Sequence, residues 1–405
     1  MADNLNDTDF LLQNLMENMT DNIYFKDAQS RFIMVNKAFC DWTGLSSDQV
    51  VGKSDFDLFA HAHAQQAYDD EQRILATGEP LIGIEEKETW PDGRITWVST
   101  TKMSLKDVGG SMIGTFGVSR DITNHKEAEL KSAYYSEQIQ RINEEMEEDV
   151  RMAAELQKTF FPSSYPVFPT NASLEESCVE FLHHYHASGV VSGDFCTIRK
   201  LSDSETGIFL CDVMGHGVRA ALGTALICAL VEEVSSDEAD PGRFLGRLNE
   251  QLLPILRQED TFLYATACYI VFNAATGAVR MANAGHPVPL HVQASEGTVQ
   301  WLLADESLRG PALAIAEGIE FKTVEVQLQP DDKVVMYTDG LYEVESAMGE
   351  EFSEQRLLSA AQRMVDHPLG TLFPALINEA CLYAENGTLD DDVCMVGFHF
   401  KKPLN

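Results

Sequence analysis

The distribution of apolar and polar positions divides the chain into three parts. In the first part, up to about residue 125, short alternating runs predict strands, and longer stretches with apolar residues at helical spacing predict helices. The predicted order is a leading helix at 9–18, two strands within 22–35, helices at 36–44 and 60–78, and strands at 83–89, 94–104 and 111–119. This order predicts a small α/β domain with three strands at its end.

The second part, residues 126–165, is a charged connecting segment. Between Asn124 and Phe161 there is no proline or glycine, and apolar residues recur at alternating steps of four and three, the spacing of a coiled-coil seam. Asp149 interrupts the seam, and a polar residue there can fix one register or permit two nearly equal ones. We predict a helical coiled-coil linker; the alternative is one long helix packed on its own C-terminal domain. The seam consists of Tyr135, Ile139, Ile142, Met146, Asp149, Ala153, Leu156 and Phe160.

The third part, residues 166–405, contains apolar runs joined by short turns such as NAATG and PDD. Short connections are typical of antiparallel sheets, with helices on the outside. Helices are predicted after Asp212 and at 241–256, 353–365 and 372–385. Strands are predicted at 179–185, 195–200, 207–211, 265–272, 278–282, 288–292, 323–328, 333–337 and 393–400.

Composition restricts the class of protein. The chain has 405 residues, 44% of them hydrophobic, which is enough for two domains with substantial cores. Its formal net charge of -35 argues against nucleic acid or anionic membrane as a partner. The longest apolar segment, around 220–231, is too short to span a bilayer. The eight cysteines include no C-x-x-C pair, so reduced thiols and a cytoplasmic location are expected.

Acidic residues stand at the edges of several apolar runs in the third part. Asp212 follows the run IFLC and precedes a glycine turn, and alone it would most simply cap a helix. Asp194, Asp339 and the pair Asp391 and Asp392 occupy similar positions beside glycine or another acid. Because burying several like charges together is costly unless cations neutralise them, this set predicts a site for hard divalent ions.

Five ordered segments of the third part resemble motifs of the PPM-type metal-dependent protein serine/threonine phosphatases, specifically their SpoIIE-like bacterial branch. The segments are VSGDF, CDVMGHGVRAAL, YATACYIVFNAATGAVRMANAGHPVPL, VVMYTDGLYE and LDDDVCMV. The resemblance implies an αββα sandwich, two stacked sheets between layers of helices. It also implies hydrolysis by a water molecule activated between two manganese or magnesium ions. No G-x-S-x-G segment or phosphate-loop cysteine suggests a covalent mechanism instead.

The resemblance assigns the ligands residue by residue. Asp212 is implied to bridge the two ions, with the Val213 carbonyl assisting. Asp339 and Asp391 are implied to complete the shell of one ion, and Asp194 to hold the other. These four aspartates are therefore the predicted catalytic residues.

Some assignments in the third part have alternatives. Asp391 is preferred to Asp392 because the first acid of the pair matches the ligand of the family; Asp392 is the fallback. His216 and His286 are expected to hold glycine turns near the ions, with acid–base roles as the alternative. No arginine is identifiable as a phosphate ligand, which predicts weak phosphate binding by the domain alone.

The first part resembles a PAS domain over nearly all of residues 10–125, on the segments VNKAFCDWTGL, VVGKS, WPDGRITWVSTTKMSLKD and GTFGVSRDIT. PAS domains sense ligands, redox state or light, or dimerise, and the ligand here cannot be read from the sequence. The flavin-attachment cysteine motif is missing. Haem binding by His61 or His63, and zinc binding by His184 and His186 of the HHYH run, are alternatives to ordinary packing.

These features together predict an α/β (α+β) protein with a PAS sensor domain (1–125), a linker (126–165) and a phosphatase domain (166–405). We expect a sensor-regulated phosphatase that acts on phosphoserine or phosphothreonine of a regulatory partner, by resemblance a STAS-type anti-sigma factor antagonist. A homodimer through the PAS domain and linker is expected. Ser192 and Cys394 depart from the family pattern, so regulation is expected at the Asp194 ion. The alternative is a non-enzymatic dimeric scaffold that binds its partner through the phosphatase-like domain.

Overall fold

The computed structural model describes residues 7–235, 238–258, 261–303 and 305–404. The chain divides into two compact units, and the boundary between them lies between Asn143 and Glu144. Within the described ranges, no helix combines the length and the apolar character needed to cross a bilayer.

The N-terminal unit is built on an antiparallel sheet. Its helices are α1 (Thr8–Asn18), α2 (Lys37–Thr43), α3 (Ser47–Val50) and α4 (His61–Thr77), and its strands are β1 (Asn22–Asp27), β2 (Phe32–Val35), β3 (Leu81–Thr89), β4 (Ile95–Lys106) and β5 (Met112–Asp121). The strand order is β2-β1-β5-β4-β3. Local chemistry sets the element ends: the Asn36 side chain caps α2, and Gly44 ends it in the left-handed conformation.

A long helix, α5 (Thr123–Lys158), contains the boundary between the units. It begins where the Asp121 carboxylate accepts the Thr123 N–H at 2.8 Å. The seam residues Tyr135, Ile139 and Met146 are each more than half exposed. A continuous helix with an exposed apolar seam is consistent with the predicted coiled coil, which stays a prediction.

In its described ranges the C-terminal unit contains two large sheets, a two-stranded sheet formed by β9 (Arg257–Gln258) and β10 (Thr261–Phe262), and two pairs of helices. The helices are α6 (Val218–Ser235), α7 (Pro241–Leu256), α8 (Ser353–Arg363) and α9 (Leu369–Tyr383). The strands are β6 (Val179–His186), β7 (Asp194–Lys200), β8 (Glu205–Val213), β9 (Arg257–Gln258), β10 (Thr261–Phe262), β11 (Ala265–Asn273), β12 (Ala278–Ala284), β13 (Leu290–Gln293), β14 (Thr298–Trp301), β15 (Arg309–Gly310), β16 (Val324–Gln327), β17 (Lys333–Tyr337) and β18 (Val393–Phe400).

The two large sheets stack face to face with helices outside. One has the order β15-β12-β11-β8-β7, with β16 also paired to β12, and the other has the order β14-β13-β17-β18-β6. Alternate residues such as Leu210 and Phe398 fill the space between the sheets. The opposite faces pack against α6 and α7 on one side and against α8 and α9 on the other. The predicted αββα sandwich is confirmed.

The apolar pair that precedes Asp194 lies outside the strands. Val190 and Val191 lie in a loop, and β7 begins at Asp194 itself. The reason is that the Asp392 carboxylate accepts the backbone N–H groups of Ser188 and Gly193. The Asp392 side chain therefore takes the place of the backbone hydrogen-bond partners that these N–H groups would have in a strand.

Candidate functional site

Asp194 and Asp212 face each other on neighbouring strands. Asp194 begins β7, and Asp212 is its direct partner in the antiparallel register of β8. Directly opposed residues project from the same face of a sheet with Cα atoms about 5 Å apart. Asp194 is 1% exposed, and burial followed by the Asp212 charge raises its pKa well above the usual value. Burial and the charges of Asp339 and Asp391 raise the pKa of Asp212 to about 8.

Asp339 comes to the same place from the other sheet. It follows β17 and Thr338, whose hydroxyl donates to Asp194 Oδ2 at 2.8 Å. The Thr338 hydroxyl also accepts the Cys394 N–H at 2.9 Å. Burial and the charge of Asp391 raise the pKa of Asp339. Thr338 thus joins the ends of the two sheets and fixes one oxygen of Asp194.

Asp391 and Asp392 differ in what they contact. The buried Asp392 accepts the Ser188 N–H at 2.8 Å, the Ser188 hydroxyl at 2.9 Å and the Gly193 N–H at 3.0 Å. Asp391 is exposed, and one of its oxygens accepts the Asp392 N–H at 2.8 Å. Asp392 therefore holds the loop that leads to Asp194. Asp391 makes one backbone contact through a single oxygen, so its carboxylate can still bind an ion. This difference favours the preference for Asp391.

The donor set at this end of the sandwich fits hard cations. Carboxylates from both sheets and the nearby Val213 carbonyl supply only oxygen ligands, which magnesium and manganese prefer. In the ranges that the structure describes, no three Asp, Glu, His or Cys side chains already stand close enough to hold one ion. The carboxylates nevertheless raise one another's pKa, and this mutual repulsion is what a divalent ion would relieve.

Gly193 allows two backbones to approach closely beside the acids. A Cβ placed there would stand 2.6 Å from the Val213 carbonyl oxygen and 3.2 Å from Asp212 Oδ1. The nearest atom to a Cβ at Gly189, in the same loop, would be 3.7 Å away. A side chain at 193 must therefore displace Asp212 or Val213, whereas one at 189 displaces nothing.

We expect Gly193→Ala to weaken manganese binding at least ten-fold, because it displaces two of the predicted ligands. Titration calorimetry of the full chain measures this, with circular dichroism to confirm folding. Gly189→Ala is the matched control and should bind within two-fold of the wild type. Equal affinities for the two variants would remove Asp212 and Val213 from the ligand set.

A cleft of about 970 Å³ lies beside Asp391. It is open to solvent. Its walls are Val150, His186, Ala187, Ser188, Gly189, Val190, Val191, His216, Gly217, Val218, Glu343, Thr388, Leu389, Asp390 and Asp391.

The two glycine-flanked histidines have different surroundings. His286 is fully buried: its Nδ1 is 2.8 Å from the Thr266 hydroxyl, and its backbone exchanges hydrogen bonds with the Asn283 side chain. Burial lowers the pKa of His286 to about 3, so its ring is neutral. His216 is exposed on the wall of the cleft. The contacts of His286 favour the expected structural role.

His183, beside the two histidines considered for zinc, and the two histidines considered for haem have ordinary packing contacts. His183 lies 2.7 Å from the Tyr165 hydroxyl, on the strand that also carries His184 and His186. His61 and His63, on α4, pack edge-on against Phe56 and Phe59 respectively. The contacts of His61 and His63 favour packing over haem binding.

The structure shows a contact between Gln157 and Ser192 that the sequence did not predict. In the last turn of α5, the 3%-exposed Gln157 side chain donates to the Ser192 carbonyl at 2.6 Å and accepts the Ser192 N–H at 3.0 Å. The Ser192 hydroxyl in turn accepts the Asp194 N–H at 3.0 Å. The linker helix is thereby attached to the loop that carries a predicted ligand. The only signal in the sequence was the position of Gln157 in AAELQKTFFP, a run similar to the lead-in helix of the family.

A group of buried charges occupies the core of the N-terminal unit. Lys26 contacts Asp55 and lies 2.5 Å from Glu71, and Lys102 lies 2.8 Å from Glu86. They line a cavity of about 20 Å³, which has room for about one water molecule.

Glu88 gives this unit a pH-dependent stability. Its carboxylate is 6% exposed and accepts hydrogen bonds from Trp42 Nε1 at 3.1 Å and from the Thr96 hydroxyl at 2.8 Å, yet burial raises its pKa from 4.5 to about 7. Between these two values the native state keeps a proton that the unfolded state has released. The free energy of unfolding should therefore fall with rising pH, by about 3 kcal/mol across the window.

The expected observation is a lower urea midpoint at pH 7.5 than at pH 5, followed by tryptophan fluorescence. Glu88→Gln cannot titrate and should have a flatter pH profile than the wild type. Parallel profiles for the two proteins would contradict the raised pKa.

Comparison with known proteins identifies families for both units. Residues 202–401 match the family model described as Stage II sporulation protein E (SpoIIE), and residues 16–127 match the model described as PAS fold. The phosphoserine phosphatase RsbP of Bacillus subtilis (strain 168) is 29% identical over 164 residues, which are 40% of this chain and 40% of RsbP. The phosphoserine phosphatase RsbU of the same strain is 23% identical over 272 residues, 65% of this chain and 74% of RsbU.

A solved structure agrees with the sandwich fold. The SiaA-PP2C domain of Pseudomonas aeruginosa superposes with a TM-score of 0.53 at 22% identity, over 64% of this chain and 98% of that chain. The fold and the family match identify the C-terminal unit as a SpoIIE-type phosphatase domain. More narrowly, the chain combines an N-terminal PAS domain with a C-terminal SpoIIE-type phosphatase domain, as the sequence predicted.

Proposed function

We propose that this protein is a sensor-regulated phosphatase that removes phosphate from serine or threonine of a regulatory partner protein. The observation that carries the proposal is the arrangement of Asp194, Asp212, Asp339 and Asp391, from both sheets, at one end of the sandwich. The names of RsbP and RsbU as phosphoserine phosphatases support the substrate class.

Two manganese or magnesium ions are the proposed cofactors. Asp212 and the Val213 carbonyl would lie between them, Asp339 and Asp391 would bind one, and Asp194 would bind the other. When bound, the ions supply an activated water and neutralise the phosphate oxygens.

The other side chains of the site position these ligands. The Thr338 hydroxyl occupies Asp194 Oδ2, which leaves Oδ1 for an ion. Asp392 holds the loop before Asp194 through its contacts with Ser188 and Gly193. The open cleft beside Asp391 admits the phosphorylated segment of a folded partner.

The proposed partner is a small phosphorylated STAS-type antagonist of an anti-sigma factor. The test incubates the full chain with a phosphorylated STAS-domain protein, with manganese and with chelator, and measures released phosphate. We expect release only with manganese. If several divalent metals give no release from this substrate or from p-nitrophenyl phosphate, the alternative of a non-enzymatic scaffold becomes the better explanation.

We further propose that the protein is a cytoplasmic homodimer, paired through its PAS domain and α5, whose sensor acts on the Asp194 ion. The exposed seam of α5 supports pairing, and the contact of Gln157 with Ser192 supports the regulatory route. Light scattering on the full chain tests the first point. A monomeric mass at micromolar concentration would contradict it.

A further inference from the structure

A positive side chain near the cleft would attract an approaching phosphate group in addition to the proposed ions. The chain carries a formal net charge of -35, and acidic residues such as Glu343, Asp390 and Asp391 line the cleft. A phosphate dianion is repelled by such a surface unless a nearby cation compensates.

Arg309 is fixed beside the acidic end. It forms β15, a two-residue strand in which Arg309 pairs in parallel with Asn283 of β12. Its guanidinium Nη2 donates to the Gly285 carbonyl at 2.8 Å, and the side chain is exposed. Arginine has five N–H donors, and the Gly285 contact uses one of them.

The anchor of Arg309 is one strand away from Asp212. Gly285 forms a bridge with Ala267 of β11. The next residue, His286, contacts Thr266, which is the direct strand partner of Asp212. The carbonyl that anchors the guanidinium therefore lies at the end of the sheet at which the predicted ligands meet.

The Arg309 charge acts on the pKa values of residues from both sheets. Burial raises the pKa of Tyr342, three residues after Asp339, and the Arg309 charge opposes that rise. Burial lowers the pKa of His286, and Arg309 lowers it further. Arg309 therefore acts on residues from both sheets around the site.

We propose that Arg309 binds the phosphate group of the substrate and of the released product. The inference rests on the proposed function. Its planar fork suits two oxygens of one phosphate, and the Gly285 contact holds the fork in position. The inference revises the expectation that the domain lacks an arginine for phosphate.

The test compares Arg309→Gln, Arg309→Lys and Arg243→Gln in the full chain. Arg243 is an exposed arginine at the start of α7 and serves as the matched control. For Arg309→Gln we expect KM for p-nitrophenyl phosphate to rise at least about ten-fold, since a hydrogen bond between charged groups contributes a factor of this size or more. We expect kcat and manganese affinity to stay within about three-fold, and Arg309→Lys to restore part of the loss.

A second measurement does not depend on turnover. Calorimetric binding of inorganic phosphate to the manganese-loaded protein should weaken by a similar factor in Arg309→Gln and remain unchanged in Arg243→Gln. Unchanged KM and unchanged phosphate affinity in Arg309→Gln would overturn the inference, as would a loss of thermal stability with neither parameter altered. An inactive wild type would instead count against the proposed function. The calorimetric affinity for inorganic phosphate would still test whether Arg309 binds phosphate.

Discussion

Asp212→Ala should lower the rate of manganese-dependent phosphate release by more than about a hundred-fold. Changing a residue that only orients a metal ligand already lowers metal affinity or activity by about ten- to a hundred-fold, and Asp212 is a predicted ligand itself. The variant should stay folded. Asp212 is partly buried with a pKa raised to about 8, so its removal relieves repulsion among the remaining acids. The measurement is the initial rate with the phosphorylated STAS-domain protein, with thermal unfolding in chelator alongside.

Asp390→Ala is the matched control for this experiment. Asp390 is exposed on the wall of the same cleft but is outside the predicted ligand set. Its rate should remain within about three-fold of the wild type. If Asp212→Ala keeps more than a tenth of the wild-type rate, Asp212 does not bridge two ions.

Lys26→Met should destabilise the PAS domain by about 3 to 5 kcal/mol. Lys26 is 1% exposed and contacts the buried carboxylates of Asp55 and Glu71. Methionine fills much of the volume but leaves both carboxylates without their cation, and breaking a buried ion pair from one side has a cost of this size. The loss should be most costly at Glu71, because its second oxygen is already buried without a hydrogen-bond partner.

Urea unfolding followed by tryptophan fluorescence reports this effect, since Trp42, Trp90 and Trp97 belong to the N-terminal unit and only Trp301 to the other. Lys37→Met, at an exposed position of α2, is the control and should change stability by less than about 0.5 kcal/mol. A similarly small change in Lys26→Met would mean that the buried ion pairs contribute little to this domain.

Local signals explain which parts of the fold could be predicted from the sequence. The N-cap Asn36 and the left-handed Gly44 act on adjacent residues, so the bounds of α2 followed directly from its sequence. Strand β14 was missed because its TVQW segment is short and carries little alternation. Helix α9 begins at Leu369, three residues before the predicted start, and Pro374 lies inside it.

Contacts between distant residues explain what was missed at the site. The acidic ligand set was expected because each aspartate stands at a strand edge, a property visible along the chain. Gln157 acts on a backbone 35 residues away, and Arg309 lies on a two-residue strand without periodicity. Lys26 gave no sign of burial, because a lysine in a short strand normally marks the solvent-facing side.

The position of Gln157 has a practical consequence for expressing the catalytic domain alone. A recombinant piece starting at residue 166, where the linker was predicted to end, lacks the side chain that holds Ser192 on both its N–H and its carbonyl. Slow turnover by that piece would therefore reflect the loss of the Gln157–Ser192 contact rather than the loss of the sensor domain. A piece starting at residue 144 keeps the clamp and also matches the observed boundary between the units.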